Sequence, residues 1–189
     1  MHKSIQLSLL SLLIGTSFAS LAGTVDFTGK LEAQTCSVVV NGGTADANIT
    51  LPTVSATQLN NAGETAGKTG MTFTFTGCTA PGGVAIYFDG GNNVNQDGRL
   101  IQQTSDGTGA KNVSLQLYFE GDSKNGGSPS SMGEVVQAGG TTAGDHLRFI
   151  TIPVDGSSFD EFYAVSYYAE SPVTSGIVTS YATYTITYA

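Results

Sequence analysis

The sequence has no tryptophan, only two cysteines, two histidines and seven lysine and arginine residues among 189. Fifteen Asp and Glu residues outweigh those cations, giving a formal net charge of −8 at pH 7. A chain this acidic offers little to neutralise phosphates, which argues against nucleic-acid binding. The charges are scattered, with no like-charge block, and read as a solvated surface. Cys36, Cys78 and His146 cannot by themselves complete a four-ligand zinc site. Long apolar runs are missing as well. The longest, residues 5–14, is about ten residues, roughly half of what a membrane-spanning helix needs. No stretch of about 12 residues carries a helical period.

What is present begins with an export signature. Lys3 supplies a basic start, residues 5–14 an apolar centre, and Ser20 and Ala22 small residues at the −3 and −1 sites of a secretory signal peptide. The expected division is a signal at 1–22, an N-terminal segment at 23–35 and one domain at 36–189. Cleavage after Ala19 is the alternative. In an exported chain the cysteine pair reads as one disulfide. Closing a loop of about 43 residues is worth roughly 4 kcal/mol in the chain-entropy model.

Beyond residue 22 the apolar residues alternate. Val25, Phe27 and Leu31 share one parity around Gly29; Cys36, Val38 and Val40 follow, and Ile49, Leu51 and Val54 suggest a short strand around Pro52. Met71, Phe73 and Phe75, then Val84, Ile86 and Phe88, then Val113, Leu115, Leu117 and Phe119 each predict a strand. Residues 135–136, 147–154 and 162–169 supply three more. The last is 181–189, where Tyr184, Ile186 and Tyr188 alternate with threonines. Eight or more short strands separated by Gly-rich turns fit an all-β sandwich. A strand this strong at a terminus needs neighbours, because termini otherwise fray.

Local motifs point less sharply. Gly121, Asp122 and Ser123 have the look of an esterase serine box, with Asp145 and His146 as partners, but no strand-to-helix elbow surrounds the serine. Residues 93–98 match part of a calcium loop, yet Asn93 stands first and Thr104 twelfth where Asp and a bidentate Glu are needed. Both read as turns. Asn48 and Asn112 head glycosylation triplets, which are common by chance. Tyr163, Tyr167, Tyr168, Tyr181, Tyr184 and Tyr188 crowd the last part of the chain, where strand packing is a commoner role than sugar binding.

Taken in order, several of these features resemble a chaperone–usher pilin of the type 1 and P pilus family. Val25, Phe27, Gly29 and Leu31 resemble that family's donor strand. The gap from Cys36 to Cys78 is similar to the one its disulfide spans. Residues 51–59 resemble its second strand, and 112–117 its central strand. Gly176, fourteenth from the C-terminus, with the penultimate Tyr188, resembles its C-terminal signature.

The resemblance implies an incomplete immunoglobulin-like β-sandwich that lacks its last strand and binds no cofactor. It implies no catalytic role, but a structural subunit of a surface fimbria that supports adhesion. Gly176, Tyr184, Ile186, Tyr188 and Ala189 would border an acceptor groove. A periplasmic chaperone would first lend a strand to that groove, its basic residues gripping the terminal carboxylate of Ala189. At the outer-membrane usher, the N-terminal segment of a neighbouring subunit would replace it. Head-to-tail repetition would build the fibre. A minor tip adaptor or an adhesin that binds a host glycan is the alternative.

Overall fold

A computed structural model describes residues 36–79, 81–123, 133–140 and 147–189. The expected signal, the donor-like segment with Val25, Phe27, Gly29 and Leu31, and Asp145 with His146 lie outside the described residues. Among the described residues the chain forms nine strands and one 3-10 turn. The strands are β1 (Ser37–Val40), β2 (Thr65–Thr76), β3 (Gly83–Phe88), β4 (Leu100–Ile101), β5 (Val113–Asp122), β6 (Glu134–Val136), β7 (Ile150–Thr151), β8 (Phe159–Ala169) and β9 (Tyr184–Tyr188).

They make two sheets. The larger runs β1-β2-β8-β5-β4, with β6 sharing the outer edge of β5 beside β4. The smaller runs β7-β3-β9. Every ladder between named strands is antiparallel. The long strands form where β-branched and aromatic residues recur at period two, so that one face of each is apolar. Those faces meet in one core. Phe73 from β2 contacts Phe88 from β3 and Tyr163 from β8 edge-to-face, at 6.2 and 5.3 Å between ring centres. Phe75 stacks on Phe159 at 4.9 Å. Fully burying side chains of this size is worth about 1.5–3 kcal/mol each.

A disulfide joins Cys36, just before β1, to Cys78, just after β2, across a sequence separation of 42. It pins the first described residue to the far end of the strand that β1 pairs with.

Three expectations are corrected. Residues 49–54 form no strand: Pro52 has no N–H to give a ladder, and the chain turns into a 3-10 helix at Ala56–Leu59, capped by the Ser55 hydroxyl. The strand resembling the family's second one is therefore absent here, although Ile49 and Leu51 still pack against the core and Leu59 is buried. The expected strand at 147–154 shrinks to Ile150–Thr151 ahead of Pro153. The strand expected at Met71, Phe73 and Phe75 starts earlier, at Thr65, and bulges between Ala66 and Thr69. Gly67, at φ +67°, carries that bulge.

A candidate assembly groove beside the C-terminal strand

Among the described residues the terminal strand β9 pairs with β3 along one edge only. Its register is Val84 to Tyr188, Ile86 to Ile186 and Phe88 to Tyr184. Val84, Ile86 and Phe88 are buried, so their cross-strand partners Tyr184, Ile186 and Tyr188 face the same core. These three are nevertheless only half-buried. The backbone explains what is missing. Gly83 and Ala189 exchange both hydrogen bonds at 2.9 Å, and the Asp89 N–H donates to the Thr183 carbonyl. Hydrogen-bonded pairs alternate along an antiparallel ladder. Thr185 and Thr187 therefore turn their backbone groups toward β3. Tyr184, Ile186 and Tyr188 turn theirs to the open edge, where no strand among the described residues pairs with them.

Opposite that edge runs the segment from Cys36 to Val54. The Cys36 N–H donates to the Tyr188 hydroxyl at 2.8 Å. The Tyr184 hydroxyl donates to the Ala45 carbonyl at 2.7 Å, and its ring packs edge-on against Phe73 at 5.1 Å. Burial, with Asp46 nearby, raises the Tyr184 phenol above its ordinary range. Farther along, Thr53 and Val54 line a cavity of about 420 Å³ with Ile177 and Val178, with Leu59, Val113 and Tyr167 among its other walls. Burial also raises the Tyr167 phenol. The two segments thus run past each other in opposite directions, joined by side chains and not by a backbone ladder. Half-buried Val38, Ile49, Leu51 and Ile186 pack on the core along them.

Of the C-terminal residues singled out in the sequence, Tyr184, Ile186, Tyr188 and Ala189 come together on and beside β9. Gly176 does not lie on that strand. It sits in the preceding connection, where Ala110 N–H donates to the Ile177 carbonyl and Ile177 N–H to the Thr108 carbonyl, both at 2.9 Å. A Cβ on Gly176 would come within 2.6 Å of the Gly109 carbonyl carbon. Its role is a close backbone approach, and it borders the cavity, not the open ladder.

The other motifs are occupied locally. The Ser123 hydroxyl accepts from the Asp160 N–H at 2.9 Å, closing the ends of β5 and β8. The Asn93 amide donates to the Tyr181 carbonyl at 2.6 Å, and the Asn95 side chain accepts from the N–H groups of Asp97 and Arg99. Tyr163 is a core residue, and Tyr168 lies under the Arg99 guanidinium at 4.0 Å. Sequence reasoning missed the wall at 36–54 and the hydroxyl bonds that reach it. The available clue was that tyrosine on a core-facing parity needs a partner for its O–H.

The family described as "Fimbrial protein" matches residues 25–189. The chain belongs to the fimbrial protein family. This fimbrial subunit is 39% identical over 167 residues to the "Major fimbrial subunit SMF-1" of Stenotrophomonas maltophilia, an alignment covering 88% of this chain and 92% of that one. It is 32% identical to the "F17 fimbrial protein" of Escherichia coli over 98% of this chain and 99% of that one. In structure it is similar to the P pilus rod subunit PapA, with a TM-score of 0.54 at 16% identity, covering 82% of this chain and 99% of PapA. The fimbrial subunit therefore has the immunoglobulin-like all-β fold of a pilin. It is a structural component of an extracellular pilus.

Proposed function

We propose that this subunit polymerises by donor-strand exchange at the open edge of β9. Residues 1–22 would direct export, and residues 23–35 would supply the donor. The donor segment of a neighbouring copy would enter the groove, with Val25, Phe27 and Leu31 toward the core and Gly29 where the backbones approach closely. A periplasmic chaperone would hold the groove beforehand, with its basic residues on the Ala189 carboxylate, and an outer-membrane usher would host the exchange.

One observation carries this reading. The backbone groups of Tyr184, Ile186 and Tyr188 face an edge with no partner strand among the described residues, directly beside half-buried apolar side chains. Such an edge is a template for strand addition. A donor strand would satisfy those groups and bury its own apolar residues at about 1.5–3 kcal/mol each. The donor's alternating pattern, Val25, Phe27 and Leu31, matches the period of an edge that offers pockets to every second residue.

The test is a fusion of residues 23–35 after Ala189 through a flexible linker. The fused monomer should melt well above a subunit lacking residues 23–35. Equal melting temperatures would sink the proposal.

A further inference from the structure

The two hydroxyl bonds across the groove have a role that packing alone does not require. Tyr184 and Tyr188 sit two strand repeats apart on the core-facing side of β9, with Ile186 between them. β9 belongs to the smaller sheet, while β1, which follows Cys36 directly, is the terminal strand of the larger one. Facing sheets stand about 10 Å apart. A tyrosine standing off one sheet, followed by one hydrogen bond, crosses that gap. Tyr188 does so to the Cys36 amide beside β1 at 2.8 Å, and Tyr184 reaches the Ala45 carbonyl, in the turn that follows β1, at 2.7 Å. Both partners are backbone groups, which cannot swing away as a side chain can. The Cys36 end is fixed further by the disulfide to Cys78.

We propose that Tyr184 and Tyr188 are spacers that fix the two sheet edges at the separation a donor strand requires, so that the groove is formed before the donor arrives. This rests on the donor-strand reading above and adds how the acceptor is prepared. Three features of the groove support it. The tyrosines hold its two ends, and the residue between them is an isoleucine with no polar group. The wall they hold, residues 36–54, has no ladder with β9 to set its distance. It carries Ile49 and Leu51, whose packing on the core depends on that distance. A preformed groove takes up its ligand without a separate ordering step. Tyr184 and Tyr188 are therefore positioning residues, and their loss should appear mainly in the rate of donor uptake.

The experiment uses the chaperone-bound subunit and a synthetic peptide of residues 23–35 as donor, with Tyr184→Phe, Tyr188→Phe and the double variant. The phenylalanine variants keep the ring and lose only the hydroxyl. Each should slow peptide uptake about fivefold, and the pair by more than tenfold, as expected for removal of one and two net hydrogen bonds. Peptide dissociation should stay within about twofold. Amide exchange at Cys36 should also accelerate in Tyr188→Phe and not in Tyr184→Phe, a change that general loosening would spread over both. Uptake by the double variant at the wild-type rate overturns the spacer role alone. Slower uptake matched by an equal rise in dissociation also overturns it, because the bonds would then be ordinary stabilising contacts. No peptide uptake by the wild-type subunit overturns the donor-strand reading, and the spacer role with it.

Discussion

β8 and β9 are written in the same code and end in different states. In both, aromatic or β-branched residues recur at alternate positions toward the core, with Glu161 the one charged residue in that row of β8. In β8, Phe159, Tyr163 and Val165 are 2%, 1% and 5% exposed. In β9, Tyr184, Ile186 and Tyr188 remain half-exposed. Composition does not separate them; neighbours do. Among the described residues β8 is flanked by β2 and β5 on its two edges, and β9 by β3 on one. A strand's pattern thus specifies which face it buries, while its place in the sheet decides how completely. Among the described residues β9 carries the sequence of an interior strand in an edge position, and the proposed donor strand would resolve that mismatch.

The comparison breaks most visibly at the residue that both strands lean on. Phe73 touches Tyr163 of β8 and Tyr184 of β9. Phe73→Ala should cost about 3–5 kcal/mol whether or not a donor strand is present, as read by urea unfolding of the fused and unfused proteins. A cost confined to the fused form would mean that the core is assembled only when the donor enters.

β8 is tested next through Glu161, which faces the core between Phe159 and Tyr163 and is fully buried. The Tyr163 hydroxyl donates to it at 3.0 Å. Burial, with Asp122 alongside, raises its carboxyl from 4.5 to about 8. The folded state thus holds the proton more tightly than the unfolded chain. The resulting stability is complete below about pH 4.5 and is lost as pH rises through about 8. Over that window the fused protein should lose a few kcal/mol, and Glu161→Gln should flatten the loss. An equally steep profile in the variant would remove Glu161 as its source.

Smaller effects belong to β9. Ile186→Ala should cost about 2 kcal/mol in the fused protein and less than about 1 kcal/mol without a donor strand, because only the former buries the side chain fully. Equal costs in the two forms would show that β9 is already complete by itself. Thr185 points to solvent, and Thr185→Ala should change stability by less than about 0.5 kcal/mol in either form.

The sequence disclosed most where physics is local. Period-two alternation located β2, β3, β5 and β9, because a half-buried strand requires it. Residues 49–54 misled for a non-local reason. Ile49 and Leu51 do turn toward the core and Val54 lines the neighbouring cavity, but Pro52 and the lack of a pairing partner keep them out of a ladder. The start of β8 was hidden by Asp160 and Glu161, two carboxylates where an apolar pattern was expected, one of them tolerated in the core by staying protonated. Gly176 was legible as a glycine with a reason, but not its reason, since Thr108, Gly109 and Ala110 approach it from far along the chain. The open edge of β9 was visible only as a strand in want of partners. Which of its backbone groups are left over follows from the register with β3, and no local pattern contains that.

That register makes the decisive measurement specific. Amide hydrogen exchange should be followed at Tyr184, Thr185, Ile186, Thr187 and Tyr188 in the subunit lacking residues 23–35 and in the form with that segment fused after Ala189. Without a donor, the Thr185 and Thr187 amides should be protected by β3 while those of Tyr184, Ile186 and Tyr188 exchange quickly. In the fused form all five should be protected. If Tyr184, Ile186 and Tyr188 exchange equally fast in both forms, no strand adds at this edge and the assembly account is wrong.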